Sequence, residues 1–141
     1  MDECARLFYE ITGRPLVKRA VDYRSAGEID EGLFEAVSRL FYEDRVAFYY
    51  LKKLFARASR EGNGALILSA AGYFHYVDCE FPEAARCFQE AIALNPGDIE
   101  SWFCLAFCYR QAGDEARFNG IILNHTRMIR ELLRGKNAKG E

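Results

Sequence analysis

A 34-residue self-similarity constrains the fold of this chain more than any other feature of its sequence. When the 141-residue chain is shifted by 34 positions, large, small and aromatic residues fall on similar residues between positions 65 and 114. The matching pairs are Leu68 with Trp102, Ala71 with Leu105, Gly72 with Ala106, and His75 with Tyr109. Within each copy these residues recur at three- and four-residue spacing, which places them on one helical face. A period of this length indicates a repeated helical hairpin whose units bury their apolar faces by stacking.

The remainder of the chain also shows helical spacing. Sustained two-residue alternation is missing, and no Asn-Gly or Asp-Gly turn joins two apolar runs, so the sequence predicts an all-α fold. Predicted helices cover residues 2–12, about 16–24, 30–42, 46–60, 65–77, 82–94, 99–111 and 114–133. Asp30 and Asp98 are expected to be N-caps, because a carboxylate accepts hydrogen bonds from the exposed amides of a first turn. Pro82 suits a first helical turn, where a missing amide costs nothing.

The repeated residues resemble the tetratricopeptide repeat family. The first copy matches that family's pattern at six positions. They are a small residue, an aromatic, an alanine, an aromatic, an alanine and a proline, occupied in that order by Gly72, Phe81, Ala84, Phe88, Ala91 and Pro96. In the second copy, the first helix and its turn are matched by Trp102, Leu105, Ala106, Tyr109 and Gly113-Asp114. The small residues are expected to let paired helices approach closely, while the large ones fill the gap to the next hairpin. The resemblance implies antiparallel helical hairpins stacked as a short, right-handed solenoid.

Departures from the family pattern define the predicted organisation. His75 replaces the usual tyrosine, Cys79 stands at a turn where glycine is common, and Phe118 and His125 occupy two alanine positions. We therefore expect two hairpins over residues 65–134, the second completed by a diverged closing helix over 114–133. Residues 135–141 are expected to form a flexible tail.

The amino-terminal part of the chain is expected to complete the core. Two repeats are fewer than the three or so that bury a continuous core. The helices of residues 1–64, including a degenerate hairpin over 31–64, are therefore predicted to pack on the first repeat. An aromatic run could supply the packing surface: Phe48, Tyr49, Tyr50 and Phe55.

Charge and composition exclude several classes of protein. Residues 1–64 carry 11 basic and 11 acidic side chains, residues 65–115 carry a net −6, and residues 116–141 carry a net +4. A nucleic-acid-binding protein would be expected to have a basic stripe on its main folded surface, which the acidic middle disfavours. No apolar stretch is long enough to span a membrane, and the acidic start lacks the features of a secretory signal. Five cysteines without a CxxC pair do not indicate a disulfide framework. We expect a cytoplasmic protein.

The first helix of each hairpin lines the concave surface in tetratricopeptide proteins, and the resemblance places seven residues there. They are Ser69, Tyr73 and Tyr76 in the first repeat, and Phe103, Phe107, Arg110 and Gln111 in the second. An aromatic-rich exposed surface is typical of a binding site, here a groove for a peptide or helix of another protein. The alternative is that the amino-terminal helices fold back over these rings and bury them.

The other chemistry-bearing residues have structural explanations. Cys104 and Cys108 share a helical face but stand at packing positions, where a thiol behaves as a small hydrophobe. His75 and His125 are interpreted as satisfied structural residues. The sequence has no phosphate-binding glycine loop, HExxH motif or nucleophile elbow. It therefore predicts no catalytic residues, no metal site and no cofactor, and we expect that the chain is not an enzyme.

Two functional hypotheses follow. The first is an adaptor or assembly chaperone that holds a segment of a partner protein in the concave aromatic groove. The layout of amino-terminal helices followed by tandem repeats is similar to that of the class II chaperones of type III secretion. The second is a structural subunit, or a scaffold that forms homo-oligomers by stacking its helical ends.

Overall fold

The computed structural model describes residues 2–17, 32–62 and 64–139. Within these ranges the backbone forms seven α-helices and no β-strand, so the all-α prediction is confirmed. The helices are α1 (Glu3–Thr12), α2 (Leu33–Glu43), α3 (Arg45–Arg60), α4 (Gly64–Val77), α5 (Phe81–Leu94), α6 (Ile99–Gln111) and α7 (Glu115–Lys139). The predicted cap at Asp30 and most of the predicted helix over 16–24 lie outside the described residues.

Local capping chemistry fixes several helix boundaries. Asp2, Asp44 and Asp98 each precede a helix, and each accepts a hydrogen bond from an amide of its first turn. Asp44 also separates α2 from α3, in the gap between the helices predicted over 30–42 and 46–60. These short acidic side chains satisfy amides that have no partner within the helix. The observed starts of α1, α3 and α6 therefore lie within one residue of those predicted.

The hairpin turns after α4 and α6 have the same geometry, 34 residues apart. In the first turn the amide of Cys79 binds the carbonyl of Tyr76, and Cys79 adopts a left-handed conformation with φ 61°. In the second turn the amide of Gly113 binds the carbonyl of Arg110, with φ 80°. Both turns are Schellman motifs. The repeat found in the sequence is thus present in the backbone.

The last helix departs from its predicted length. It continues to Lys139, six residues beyond Leu133, so most of the predicted tail over 135–141 is helical. The segment that follows Leu133 contains no proline, and lysine and alanine are good helix formers. A single glycine at position 135 does not stop the helix. The polar residues that follow Leu133 therefore continue α7 as far as Lys139.

The helices pack as successive hairpins. Short turns make α4 antiparallel to α5, and α6 antiparallel to α7, and these partners are in contact. The two hairpins are joined by contacts of α6 with both α5 and α4. On the other side, α2 and α3 pack together and both contact α4, while α1 packs on α3. The amino-terminal helices therefore extend the stack beyond the two hairpins.

A continuous aromatic core joins the amino-terminal helices to the repeats. Phe74 of α4 lies between Phe48 and Phe55 of α3, with ring centroids 5.3 Å and 5.2 Å away. Phe8 of α1 contacts Phe55 on its other side at 6.2 Å. These four rings are almost fully buried. The expectation that part of the aromatic run packs on the first repeat holds for Phe48 and Phe55, whereas Tyr49 and Tyr50 are exposed.

Small residues allow the close approach of helices that the sequence had indicated. A Cβ atom placed on Gly72 would lie only 2.6 Å from Cε1 of Phe88, so the ring of α5 occupies the space that a side chain would need. Ala84, Ala91 and Ala106 are also completely buried. The α4–α5 interface therefore depends on a glycine facing an aromatic ring.

Candidate functional site

Ser69 lies in a buried polar cluster and not on a groove. Its hydroxyl lies 3.0 Å from Oδ2 of Asp98 and 3.2 Å from Oγ of Ser101. Ser101 in turn donates to Oδ2 of Asp98 at 2.6 Å, while its amide binds Oδ1. Because buried polar groups are costly unless hydrogen-bonded, this cluster fixes the start of α6 against α4. The interpretation that Ser69 contacts a partner is corrected by its 1 % exposure.

Tyr73 is also a core residue. Its ring is fully buried, and it packs against Phe34 of α2 at 5.4 Å and Phe88 of α5 at 5.5 Å. Burial raises the pKa of its hydroxyl far above the ordinary value. The groove prediction therefore does not fit Tyr73, because α2 covers this ring.

Tyr76 lies at the rim of the same region. It is half-buried, and its ring contacts Phe34 at 5.9 Å and Phe81 at 5.6 Å. Burial raises the pKa of Tyr76 to about 12, so its hydroxyl stays protonated at neutral pH. Tyr76 packs partly within the fold and leaves only an edge for a partner.

The second repeat presents a different surface, which we call the Phe107 surface: Phe107, Arg110 and Gln111 of α6 with Phe118 of α7. Phe107 is 40 % exposed, and its ring lies 6.0 Å from that of Phe118. The Arg110 guanidinium lies 5.4 Å from the centre of the Phe118 ring, within the range of a cation–π interaction. Arg110 and Gln111 are exposed. This surface combines an apolar ring with hydrogen-bond donors.

Phe103 belongs to the packing of α6 on α7. Its ring lies 4.7 Å from the imidazole of His125, and it is half-buried. His125 is itself buried and contacts Trp102 at 6.0 Å. Its Nδ1 lies 3.1 Å from the Ile121 carbonyl, while Nε2 is buried without a hydrogen-bond partner among the described residues. Phe103 thus extends the Phe107 surface at its buried edge.

Four of the seven predicted partner-binding residues therefore retain accessible or half-buried positions on the second repeat, and Tyr76 keeps a rim position. Phe118 was not among the predicted site residues. Its signal was present in the sequence, since a phenylalanine stands where the family pattern has alanine. A large ring at that position reaches α6 and supports the Phe107 side chain.

The acidic turn after α4 has a structural role. Lys52 of α3 binds Asp78 at 2.5 Å and Glu80 at 2.6 Å, and His75 lies 2.9 Å from the same Glu80 oxygen. Burial alone would raise the pKa of Glu80, but the hydrogen bonds of Lys52 and His75 outweigh it and hold this pKa below its ordinary value. Tyr49 also donates to Asp78. These contacts join α3 to the turn between α4 and α5.

The cysteines have the environment of packing residues. Cys87, Cys104 and Cys108 are buried, Cys79 is exposed, and all are free thiols. Burial raises the pKa of Cys108 to about 12, which keeps it protonated and a poor metal ligand. In the ranges that the structure describes, no group of three or more His, Cys, Asp or Glu residues is arranged to hold a metal ion. Over the same ranges no helix has the length and apolar character needed to cross a membrane.

Comparison with known proteins identifies the repeat. Residues 87–117 match the tetratricopeptide repeat family, a stretch that runs from α5 through α6 into the start of α7. No curated protein and no solved structure gave a significant match. The matched stretch contains Phe107, Arg110 and Gln111. Residues 87–117 are therefore similar to a tetratricopeptide repeat, a unit that generally mediates protein–protein interaction and is typically non-enzymatic.

Proposed function

We propose that the chain is an adaptor or assembly chaperone that holds a segment of a partner protein against the Phe107 surface. The proposal is supported by an exposed aromatic ring in a unit that generally binds proteins. Aromatic and arginine side chains supply most of the binding energy at protein interfaces. Phe107 would contact an apolar side chain of the partner, and Arg110 and Gln111 would donate hydrogen bonds at its edge.

The observation that carries the proposal is the contrast between two equivalent positions. Tyr73 and Phe107 are separated by one 34-residue period. The ring of Tyr73 is covered by Phe34 of the neighbouring helix α2 and is fully buried, whereas that of Phe107 remains 40 % exposed. A partner side chain would cover Phe107 as Phe34 covers Tyr73. The partner segment is therefore expected to present an aromatic or large aliphatic side chain, most simply from a helix.

The organisation of the chain fits this role. The amino-terminal helices of residues 1–64 would act as the fixed support of the stack, since they pack on α4. The two hairpins of residues 65–134 would carry the partner at the side away from that support. This division resembles the layout of class II secretion chaperones noted above, and the proposed binding surface would lie in the second repeat.

The test is capture of partners from a native lysate by the Phe107→Ala variant. We expect the partners recovered with the wild-type chain and identified by mass spectrometry to be reduced about tenfold or more, because loss of an interface anchor costs about 2 kcal/mol. The matched control is Leu123→Ala, which removes a 67 % exposed side chain from α7 and should retain the partners. Circular dichroism should show unchanged helicity for both variants.

Two results would contradict the proposal. Full recovery of the partners by Phe107→Ala would show that this ring does not anchor them. An oligomer detected by size exclusion with light scattering, and dissolved by Phe107→Ala, would assign the surface to a second copy of the chain. That second result would favour the structural or self-assembling alternative.

A further inference from the structure

Helix α3 carries a concentration of positive charge without any acidic side chain of its own. Its 16 residues include five basic side chains and no acidic one, although the whole chain has a net charge of −2. The basic residues are Arg45, Lys52, Lys53, Arg57 and Arg60. All but the first lie in the last three turns of the helix. One face of the amino-terminal helices is therefore cationic.

This part of α3 lines a surface groove of 730 Å³. The lining residues are Glu3 of α1 and Tyr49, Tyr50, Lys52, Lys53, Leu54, Ala56, Arg57 and Arg60 of α3. A volume of this size lies within the range of sites that hold small ligands. The groove lies on α1 and α3, whereas the Phe107 surface lies on α6 and α7, so the two share no residue.

Three of the cations have no ion pair among the described residues. Lys52 is neutralised by Asp78 and Glu80, but Lys53, Arg57 and Arg60 are exposed. Their spacing of four and three residues puts like charges on one helical face, where they repel each other. An anionic partner would remove that repulsion.

Several exposed arginines elsewhere in the chain have a local partner: three form an ion pair along their own helix, and Arg45 and Arg110 lie over a phenylalanine ring instead. The side chains of three such arginines bind carboxylates three or four residues away, at 3.3 Å, 2.9 Å and 3.4 Å. These pairs are Arg6 with Glu10, Arg86 with Glu90, and Arg117 with Asp114. The end of α3 departs from this arrangement. The negative end of the helix dipole favours basic residues in the last turn, such as Arg57 and Arg60, but it does not account for Lys53 one turn earlier.

Tyrosine side chains stand beside the cations. Tyr50 is 56 % exposed and Tyr49 is 44 % exposed, with the hydroxyl of Tyr49 donated to Asp78. Tyrosine and arginine are both enriched at protein interfaces relative to the rest of the protein surface. The groove thus offers an aromatic contact next to a row of charge.

We infer that the α1–α3 groove binds an acidic peptide segment of another protein. Carboxylates of the segment would pair with Lys53, Arg57 and Arg60, and an apolar side chain would lie on Tyr50. A rise of about 1.5 Å per residue separates Lys53 from Arg57 by about 6 Å along the helix. Alternate residues of an extended peptide are about 6.6 Å apart, so acidic residues at alternate positions match the row.

A peptide fits this groove better than a nucleic acid does. Glu3 forms part of the wall, and Asp78 and Glu80 occupy the neighbouring end through their contacts with Lys52. A peptide can place uncharged residues beside these carboxylates, whereas a phosphate backbone carries a negative charge at every nucleotide and would be repelled by them. Nucleic-acid-binding domains usually have a pI above about 9, whereas the pI of this chain is 5.8.

The inference is tested by fluorescence anisotropy with the full chain and a labelled peptide. The peptide carries glutamates at alternate positions and a phenylalanine at one end, and the control peptide has glutamine in place of each glutamate. We expect the glutamate peptide alone to bind, with affinity that falls as salt is added. K53E/R57E should raise its Kd about tenfold or more, and Tyr50→Ala should also weaken binding.

The matched control is R127E/R130E, which makes the same change in net charge at exposed positions of α7. It should leave the Kd within about twofold of the wild-type value, since none of the lining residues named above belongs to α7. The inference is overturned if both double variants weaken binding equally, or if the glutamine peptide binds as tightly. Tighter binding of a single-stranded oligonucleotide than of the glutamate peptide would overturn it in favour of nucleic acid. Because Phe107 lies outside the groove, Phe107→Ala should not alter this titration.

Discussion

At the scale of single residues, Gly72 shows how the repeat depends on a missing side chain. A Cβ at this position would meet the Phe88 ring at 2.6 Å, and that ring is fully buried against Tyr73 and Tyr76. Its burial and its contacts with both tyrosines restrict the movement of the ring. The close packing of α4 on α5 therefore requires glycine here, even though glycine lowers helix propensity.

We predict that Gly72→Ala destabilises the fold by about 1–2 kcal/mol. Overpacking costs about 1–3 kcal/mol, and the better helix propensity of alanine returns only part of it. Urea denaturation measures the change. The control is Gly120→Ala in the exposed middle of α7, where a Cβ meets nothing within 4 Å and should add about 0.5–1 kcal/mol. Equal effects of the two substitutions would contradict the packing argument.

Cys79 shows the opposite situation to Gly72. It carries a side chain at a position whose backbone conformation favours glycine. Its φ of 61° brings Cβ close to the backbone, which costs a residue other than glycine about 1–2 kcal/mol. Cys79→Gly is therefore predicted to stabilise the fold by about 0.5–1 kcal/mol and to raise the Tm. Cys79→Ala, which keeps the Cβ and removes the thiol, should change little. A stabilisation by alanine as large as that by glycine would assign the effect to the thiol instead.

The residues of the candidate site show what a repeat pattern can and cannot predict. Residues that recur every 34 positions share a place in the backbone, but their exposure depends on what packs against each copy. Tyr73 faces α2 and is buried, whereas Phe107 is partly exposed. The sequence could not distinguish them, because the docking of α2 brings together residues almost 40 positions apart. The burial of Ser69 by Asp98 depended on a similar long-range contact.

At the scale of helices, boundaries that follow from capping chemistry could be predicted. Asp44 and Asp98 each cap the helix that follows by accepting a hydrogen bond from an amide three residues ahead. Because this contact is local, the start of the helix can be predicted from the sequence. The end of α7 has no such chemistry, and its predicted length was wrong. The contact of Lys52 with Asp78 could not be foreseen, since it joins residues 26 positions apart.

Substitution of Lys52 measures how much its contact with Asp78 and Glu80 stabilises the packing of α3 on the repeats. Lys52→Met removes the cation and leaves the carboxylates of Asp78 and Glu80 without it. We predict a loss of about 1–3 kcal/mol in the free energy of unfolding at pH 7, because hydrogen bonds to charged groups are worth about 1.5–3 kcal/mol. The control Lys53→Met removes an adjacent lysine without an ion pair among the described residues and should stay within about 0.5 kcal/mol.

The same contact predicts a pH dependence. The folded pKa of Glu80 lies below its ordinary value, which is about 4.3 in an unfolded chain. The stabilisation is therefore complete above the unfolded pKa and is lost as pH falls through the folded pKa. The difference in stability between the wild-type chain and Lys52→Met should shrink as urea titrations are carried from pH 7 to below pH 4. A difference that does not change with pH would exclude a role for Glu80.

At the scale of the whole molecule, the structure explains how two hairpins form a stable stack. The amino-terminal helices provide a third layer, in which α2 and α3 pack on α4 and Phe48, Phe55 and Phe34 cover its aromatic side chains. This arrangement was predicted from the shortage of repeats, although the chain before α4 matches the family only in helical character. The requirement that every apolar face be covered was sufficient to predict the packing, whereas the pattern of residues was not.

This dependence leads to a prediction for the fragment of residues 62–141. Without α1, α2 and α3, the rings of Tyr73 and Phe74 would lose the cover of Phe34, Phe48 and Phe55 and would be exposed to water. Uncovering a phenylalanine-sized side chain costs about 1.5–3 kcal/mol, and two such rings are comparable to the whole stability of a small domain. We therefore expect the fragment to lose the cooperative thermal transition of the full chain, as measured by circular dichroism at 222 nm. Addition of residues 1–61 as a separate chain should restore that transition if the interface between the two parts provides the stability. A fragment that unfolds cooperatively near the Tm of the full chain would show instead that the two hairpins are stable on their own.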